Sequence, residues 1–239
     1  MARSTRYSAP VLPRSGPPDD DLCSDPSSRA LSVAAFENDF VEGVYNKIAA
    51  IDSWLFGPTL QTGRLEAMKR LPMGHGDTVL EVGVGTGINA ALYPSHLSVT
   101  GIDFVEGMLH KAERRLAARN VRNVRLLQMD AAHLEFPDDS FDLVYAPYVI
   151  SVVPDPVAVA KEMRRVCRPG GHFAFLNHFL SENPVLARAE RWISPLTIHA
   201  GFRSDLDLPA FLAQADLTPL SIEKVNIPRI WSLVTCTKD

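Results

Sequence analysis

Hydrophobic and polar positions divide the chain into an irregular amino-terminal stretch, two helical segments and a long alternation of strand and helix patterns. Residues 1–30 are rich in serine and proline, which predicts a disordered tail. From Leu31 onwards apolar residues recur at three- and four-residue steps, which predicts an amphipathic helix. Its apolar stripe consists of Phe36, Phe40, Val44, Ile48, Ile51 and Leu55. After a Gly57-Pro58 break, a second helix is predicted over Leu60–Leu71.

From Thr78 onwards short apolar runs alternate with helical patterns, as in parallel strands joined by crossover helices. Predicted strands cover Thr78–Gly83, Leu97–Asp103, Asn123–Met129, Phe141–Tyr145, His172–Asn177, Thr218–Val225 and Ile230–Cys236. Predicted helices cover Val105–Arg119 and Val157–Cys167, another begins over Gly87–Tyr93, Arg168–Gly171 is a turn signal, and Ser181–Ala215 is mostly helical. We therefore predict one domain over residues 31–239, with amino-terminal helices over 31–71. Its expected fold is α/β and doubly wound, with a mostly parallel, seven-stranded Rossmann-like sheet and the last helical stretch over the active site.

Composition and charge narrow the class of protein. The net charge of −4 gives no bulk attraction to nucleic-acid phosphates, so no nucleic-acid partner is expected. The widely separated Cys23, Cys167 and Cys236 lack the spacing of a metal site or a disulfide framework, which predicts no metal and a reducing compartment. The sequence also lacks the apolar run of a membrane span or a signal peptide, so a cytoplasmic protein is expected.

A glycine-rich loop, Gly83-Val84-Gly85-Thr86-Gly87, follows the first predicted strand, where open parallel sheets bind ligands. A dinucleotide fingerprint would place glycine at position 88, but Ile88 stands there. Glu81 puts a carboxylate beside the loop, which would repel a pyrophosphate but suits a ligand that carries an ammonium and a sulfonium. The loop therefore favours S-adenosylmethionine over NAD, although a tight strand-to-helix turn alone would also use these glycines.

Asp103 closes the second predicted strand, and an acid at that position can accept both hydroxyl protons of a ribose. Its alternative role is a helix amino-terminal cap. In combination with the glycine loop, ribose binding is the stronger interpretation.

Four segments carry a resemblance to a known family: VLEVGVGTG, VTGIDFVEGML, MDAAHLEFPDDSFDLVYA and RVCRPGGHFAF. In this order they resemble the motifs of class I S-adenosylmethionine-dependent methyltransferases over roughly Asp77 to Asn177. The resemblance implies that Glu81, Gly83, Gly85 and Gly87 surround the methionine part of the donor and that Asp103 holds its ribose. It further implies that Met108 packs on the adenine, whose amino group meets Asp130 beside the Ala131 backbone.

Segments outside those motifs resemble the bacterial phosphatidylethanolamine N-methyltransferases of the soluble, peripheral type. They are VYNKIAAIDSWLFGPTLQTGR, YVISVVPDP, LNHFLSENP and GFRSDLDL. The resemblance implies an aminophospholipid acceptor and reversible contact with the inner membrane surface. It leaves a soluble or quinone-like acceptor open, and a noncatalytic module that binds an adenosyl ligand is the alternative from another class.

The acceptor-site candidates are Tyr45, Tyr148, Asn177, His178, His199, Arg203 and Arg229. Tyr148 and His178 follow predicted strands at the edge that faces the donor, and the resemblance brings Tyr45 across from the amino-terminal helix. We expect these three residues to surround the amine as catalytic groups. Asn177 and His199 are expected to bind substrate, and Arg203 and Arg229 to hold a lipid phosphate through bidentate contacts. Each side chain also has a plain structural interpretation, as core packing or a surface ion pair.

Overall fold

The computed structural model describes residues 57–181, 188, 192, 205–225 and 231–239. Its helices are α1 (Gly57–Arg70), α2 (Glu106–Ala118), α3 (Pro156–Val166) and α4 (Leu208–Gln214), with a short 3-10 helix over Ala90–Leu92. Its strands are β1 (Thr78–Val82), β2 (Ser98–Asp103), β3 (Val124–Gln128), β4 (Phe141–Pro147), β5 (Cys167–His178), β6 (Pro219–Val225) and β7 (Trp231–Thr237).

The strands form one seven-stranded sheet in the order β3-β2-β1-β4-β5-β7-β6. The first five strands in this order are parallel, and β7 lies antiparallel between β5 and β6. The strand order reverses between β1 and β4, and open sheets of this kind bind their ligands at that point, beyond the carboxyl ends of the strands. The predicted doubly wound, mostly parallel sheet is confirmed.

Alternate residues of the central strands pack into different layers, because side chains of a strand point to opposite faces of the sheet. On one face Leu80 and Val82 of β1 belong to a core that includes Val159 and Met163 of α3. On the other face Val79 packs in a cluster with the buried residues of α1. A third, smaller cluster joins α2 to the loop that follows β1. Both faces of β1 are therefore covered, which explains its nearly continuous apolar sequence.

Two predicted helix boundaries differ from the structure. The predicted helix beginning over Gly87–Tyr93 is wrong, because turns lead there into the single 3-10 helix Ala90–Leu92. Pro94 disfavours a helical conformation for Tyr93, which is extended with ψ of 137°. The second predicted helix begins earlier than predicted, since α1 begins at Gly57 rather than at Leu60, and Gly57 and Pro58 form its first turn. A proline in the first turn of a helix costs no internal hydrogen bond.

The predicted turn Arg168–Gly171 lies inside β5 as an irregularity of the strand. Phe141 pairs with Cys167 and Leu143 pairs with His172, so the β5 segment between these pairs is longer than the β4 segment opposite. Gly170 has φ of +73°, and its N–H donates to the carbonyl of Lys238 at 2.7 Å. The glycine therefore supports a bulge between two paired strand sections rather than the end of a strand.

Several predictions lie outside the described residues. They include the disordered tail over residues 1–30, the amphipathic helix after Leu31, and most of the helical stretch Ser181–Ala215. Within that last stretch α4 is observed, and Arg188 and Trp192 have helical backbone.

Candidate active site

The glycine loop connects β1 to the 3-10 helix at the point where the strand order reverses. Gly83, Gly85 and Gly87 have φ of +69°, +54° and +73°, a conformation that glycine adopts without steric cost. The N–H of Val84 donates to the carbonyl of Ile102 at 2.8 Å, which ties the loop to the end of β2. The loop therefore needs glycines for its own backbone path, whatever it binds.

The three glycines differ in what surrounds them. A Cβ atom at Gly83 would lie 2.2 Å from Cγ2 of Val149, and one at Gly87 would lie 2.9 Å from Cβ of Ala112. At Gly85, in contrast, a Cβ atom would meet nothing within 4 Å. Gly83 and Gly87 thus allow close packing inside the protein, whereas Gly85 presents its backbone to open space.

Asp103, the last residue of β2, holds the loop from the side. Its Oδ2 accepts a hydrogen bond from the N–H of Gly85 at 2.8 Å, and its Oδ1 accepts one from the N–H of Val105 at 2.9 Å. Burial raises the pKa of this carboxyl, and the backbone hydrogen bonds oppose that rise. Each carboxylate oxygen retains a second lone pair, so Asp103 can brace the loop and still accept hydroxyl protons from a ligand.

Glu81 is the charged residue that the fold buries most deeply beside the loop, with 1% of its surface exposed. Burial raises the pKa of its carboxyl to about 8, although nearby Tyr93, Arg64 and Asn89 partly oppose this shift. At neutral pH the folded protein therefore holds this carboxyl mostly protonated.

Polar atoms around Glu81 keep unused hydrogen-bonding capacity. The buried atoms Oε2 of Glu81, Oδ1 of Asn89 and the hydroxyls of Tyr93 and Tyr145 make no hydrogen bond of good geometry, although Tyr93 and Asn89 lie close enough to the Glu81 carboxyl to lower its pKa. Tyr145 lies directly beside Glu81, because the two residues are register partners on β4 and β1. Buried polar groups are nearly always satisfied in folded proteins, so this cluster marks a place for water or for a polar ligand group.

The remaining donor-site candidates lie on the neighbouring segments. Met108 is buried in the first turn of α2, and Ala131 is partly buried against the main core. Asp130 is about half exposed, and its oxygens accept from the N–H of Ala132 at 2.9 Å and contact Nδ1 of His133 at 3.1 Å. The structure therefore places all the predicted donor-site residues along the carboxyl ends of β1, β2 and β3 and the segments that follow them.

Three side chains with aromatic rings lie near one another at the carboxyl ends of β4 and β5, on the other side of the strand-order reversal from the glycine loop. The ring centroids of Tyr148 and Trp231 are 4.8 Å apart in an edge-to-face arrangement, and those of His178 and Trp231 are 6.1 Å apart. Tyr148 has φ of +62°, a strained conformation for a side-chain-bearing residue, and its N–H donates to the carbonyl of Leu176 at 2.6 Å. We call Tyr148, His178 and Trp231 the acceptor corner.

Asn177 has a different environment from its neighbour His178. It is fully buried, its Oδ1 accepts from the hydroxyl of Ser151 at 3.2 Å, and its Nδ2 donates to the carbonyl of His178 at 2.8 Å. Its amide group is thus used inside the protein, and we do not include it in the substrate site. The candidates Tyr45, His199, Arg203 and Arg229 lie outside the described residues and stay predictions.

Comparisons with known proteins agree with this geometry. A family model described as a methyltransferase domain matches residues 80–175. The chain is also 38% identical over 191 residues to the phosphatidylethanolamine N-methyltransferase of Cereibacter sphaeroides, a match that covers 77% of this chain and 93% of that relative. The chain belongs to the S-adenosylmethionine-dependent methyltransferases. Its methyl donor is accordingly S-adenosylmethionine.

Two further comparisons show how much of the chain resembles other methyltransferases. The demethylmenaquinone methyltransferase of Geobacillus stearothermophilus is 39% identical over 113 residues, which cover 45% of this methyltransferase and 48% of that relative. The fold matches that of phosphoethanolamine N-methyltransferase 2 of Haemonchus contortus in complex with S-adenosylmethionine, with a TM-score of 0.61 and 20% identity. That match covers 73% of this chain and 52% of the other. Both matches include the methyltransferase domain, and each of them covers only about half of the other protein.

The candidate donor-site residues at the carboxyl ends of β1, β2 and β3, which we call the donor side, suit S-adenosylmethionine chemically. The open backbone at Gly85 allows close approach, and the unpartnered Oε2 of Glu81 offers an acceptor for an ammonium group. The carboxylate of Asp103, at the end of β2, has lone pairs that can accept from hydroxyl groups such as those of a ribose. Sequence reasoning did not assign a role to Arg64 or Trp231, although both contact Tyr148. Nothing in their local spacing distinguishes them, because α1 and β7 reach this corner from opposite ends of the domain.

Proposed function

We propose that this methyltransferase transfers methyl groups to the amine of phosphatidylethanolamine and its partly methylated forms, towards phosphatidylcholine. The acceptor corner carries the proposal, because aromatic faces attract alkylammonium groups and Tyr148, His178 and Trp231 present such surfaces beside the donor side. Similarity to the Cereibacter sphaeroides relative supports the same acceptor, since it extends over 77% of the chain and therefore well beyond the domain core.

The donor is held, in this proposal, by residues at the ends of β1, β2 and β3. When bound, S-adenosylmethionine supplies an electrophilic methyl group on a sulfonium. Glu81 accepts from the donor's ammonium, the open backbone of Gly85 allows its methionine part to approach, and Asp103 accepts from its ribose hydroxyls. Met108 and Asp130 are assigned to the adenine, with the Ala131 backbone beside it, and Gly83 and Gly87 keep the loop in shape.

The acceptor corner orients the nucleophile for an in-line displacement. An alkylamine with a pKa of ~10.4 must lose a proton before its nitrogen can attack the methyl carbon. We assign that proton transfer to His178, and the orientation of the nitrogen to Tyr148 and the predicted Tyr45. Alignment and exclusion of water supply most of the acceleration that such a displacement needs. Arg203 and Arg229 stay candidates for the lipid phosphate and His199 for the headgroup.

The proposal includes reversible attachment to the inner membrane surface, because the acceptor amine lies on a lipid. Among the described residues, no helix is long and apolar enough to cross a bilayer. The predicted amphipathic helix after Leu31 differs from the usual interfacial helix in charge, since Glu37, Asp39, Glu42 and Asp52 outnumber Lys47. Flotation with anionic vesicles at low salt tests the attachment, and protein that stays in the soluble fraction would contradict it.

A quinone-like acceptor is the second candidate. It is favoured by the 39% identity to the demethylmenaquinone methyltransferase of Geobacillus stearothermophilus. That similarity covers 45% of this chain, a span about the size of the donor-binding core, so it bears less on the acceptor. A quinone-like acceptor would be methylated without dependence on an aminophospholipid headgroup.

Incubation of the purified enzyme with labelled S-adenosylmethionine and mixed micelles tests the proposal. The micelles contain phosphatidylethanolamine in one reaction and phosphatidylglycerol in the other, and a third reaction offers a demethylated quinone in detergent. We expect methylated phosphatidylethanolamine by mass analysis and no methylated product in the other two reactions. Methylation of the quinone alone would replace the lipid acceptor and leave the methyltransferase assignment in place.

A further inference from the structure

The indole of Trp231 is held in the acceptor corner by the sheet itself. Trp231 is the first residue of β7, which pairs with β5 on one side and β6 on the other, so its register partners are His178 and Val225. Its ring centroid lies 4.8 Å from that of Tyr148 and 6.1 Å from that of His178. Because strands on both sides hold its backbone, the indole is carried by a rigid part of the domain.

The polar edge of this indole is buried without a partner. Nε1 of Trp231 is inaccessible to solvent and makes no hydrogen bond within the part of the chain that the structure describes. A buried tryptophan N–H usually finds an acceptor, because an unmade hydrogen bond costs stability. A hydroxyl can rotate towards a nearby acceptor, whereas an indole N–H has one direction, set by the plane of the ring. The acceptor corner therefore contains a fixed and unused hydrogen-bond donor.

The next residue of β7 provides a contrast. The buried hydroxyl of Ser232 also makes no hydrogen bond, but alternation along the strand places Ser232 on the opposite face of the sheet. Its register partner there is Asn177, whose Oδ1 accepts from the hydroxyl of Ser151. Trp231 instead packs on the face of the sheet that carries α1 and Tyr148. Ser232 thus lies away from the acceptor corner and offers a matched control.

The chemistry of an indole N–H restricts what the methyl acceptor must supply. The indole N–H only donates, so it cannot bind an ammonium, which has no lone pair. It also cannot bind the deprotonated amine during the reaction, because the lone pair of that nitrogen attacks the methyl carbon. The partner of the N–H must therefore be another atom of the acceptor, one that carries a free lone pair and lies close to the amine.

A phosphoethanolamine headgroup supplies such an atom, since its phosphate carries anionic oxygens and lies only two carbons away from the amine nitrogen. We propose that the indole N–H of Trp231 donates a hydrogen bond to a phosphate oxygen of this headgroup, while the aromatic faces of the acceptor corner hold the amine. The inference rests on the proposed aminophospholipid acceptor. It makes Trp231 a specificity-determining residue, because an amine without a neighbouring oxygen acceptor leaves the N–H unpaired.

Replacement of Trp231 by benzothienylalanine tests the inference, because this side chain keeps the bicyclic ring and has sulfur in place of the N–H. Methylation of phosphatidylethanolamine is measured in mixed micelles. We expect the KM for the lipid to rise about 3- to 5-fold, with kcat and the Kd for S-adenosylmethionine within about 2-fold of the wild type, because the hydrogen bond is made equally before and during methyl transfer. Trp231→Phe removes the same donor and keeps one aromatic ring, so its KM should rise at least as much.

Two controls separate recognition of the phosphate from packing. Ser232→Ala should retain the KM of the wild type. A competing lipid that keeps the acyl chains and the aminoethyl group, but has methylene groups in place of the phosphate, should inhibit the wild type and the benzothienylalanine protein equally.

The outcomes distinguish this inference from the proposed function. A KM that stays unchanged without the N–H, or a loss of inhibition by the competing lipid that parallels the rise in KM, would overturn the inference and leave the lipid acceptor in place. A wild-type protein that does not methylate phosphatidylethanolamine would overturn the proposed function, and the inference with it.

Discussion

The donor side and the acceptor corner of this methyltransferase are built in opposite ways. Most donor-side groups come from a short stretch of chain, from Glu81 to Asp103, and the loop is braced by Asp103 and packed against Val149. The acceptor corner joins Tyr148, His178 and Trp231 from the ends of three different strands, with Arg64 above Tyr148. The donor side is thus a local motif held by close packing, whereas the acceptor corner exists only in the folded sheet.

This difference implies different responses to mutation. Substitutions on the donor side should lower stability. Close packing leaves no room for an added atom, and burial keeps water away from an unpaired charge. The residues of the acceptor corner are partly exposed, so changes there should alter acceptor binding and turnover more than folding. The two regions should therefore be separable by measuring stability, donor affinity and turnover on the same variants.

The largest effect is expected within the glycine loop itself. Gly83→Ala places a Cβ atom 2.2 Å from Cγ2 of Val149 at a positive φ, and should cost at least about 3 kcal/mol of unfolding free energy. Gly85→Ala meets no atom within 4 Å and should cost only about 1 kcal/mol, from its positive φ, while weakening donor binding. Urea unfolding and donor titration measure both effects. Equal stability losses in the two variants would contradict the distinction between packed and open glycines.

The next largest effect concerns Glu81 and depends on pH. The pKa of its carboxyl is about 8 in the folded protein against 4.5 for the ordinary group, so between these values the folded state binds more protons than the unfolded state. The unfolding free energy of the wild type should therefore fall as pH rises through this window. Glu81→Gln removes this loss, and should be more stable than the wild type by roughly 2–5 kcal/mol above pH 8.

Chemical denaturation at pH 5.5 and pH 8.5 measures the Glu81 effect. The exposed Glu113→Gln serves as the matched control and should track the wild type at both pH values. Glu81→Gln should also bind S-adenosylmethionine more weakly, since it cannot become the carboxylate that pairs with the ammonium. A Glu81→Gln protein whose advantage is the same at both pH values would show that the carboxyl is not protonated in the fold.

Asp103→Asn should lower donor affinity by ~30- to 100-fold, because the ribose hydroxyls lose a charged acceptor. It should also cost about 1–2 kcal/mol of stability, since the amide cannot accept from both Gly85 and Val105. Asp207→Ala is the control, because Asp207 accepts from the N–H of Ala210 as the cap of α4 and its loss should cost about 1 kcal/mol. Calorimetry and thermal melting should show a similar stability loss in both variants and an affinity loss in Asp103→Asn alone.

The smallest effects are expected in the acceptor corner. Trp231→Leu should raise the KM for the acceptor about 3- to 10-fold through loss of an aromatic face, and leave the Kd for S-adenosylmethionine within about 2-fold. His178→Ala should lower kcat more than donor affinity, and Tyr148→Phe isolates the hydroxyl because it keeps the ring beside Trp231. If these variants weaken donor binding as strongly as Asp103→Asn, the two regions are one site and the division fails.

Local patterns in the chain predicted the strands of the sheet and the candidate residues that lie at the carboxyl ends of β1, β2 and β3. Each strand and its following helix are contiguous, so hydrophobic period, glycine chemistry and strand-end acids reveal them without any distant partner. The predicted helix over Gly87–Tyr93 failed for a local reason as well, since Pro94 favours the extended conformation of Tyr93. The apolar pattern of the last two strands predicted both of them, although not that β7 inserts between β5 and β6.

Other features depend on contacts between residues far apart in the chain. Asp103 offered two interpretations in sequence, and only the fold shows that its carboxylate braces Gly85 while keeping lone pairs for a ligand. Asn177 and His178 are neighbours in sequence, yet alternation along β5 buries the first and brings the second to Trp231. Arg64 and Trp231 carry no local signal, because their position beside Tyr148 arises when α1 and β7 pack onto the sheet. Burial likewise sets the protonation of Glu81, since the desolvation that raises its pKa comes from residues that meet only in the folded protein.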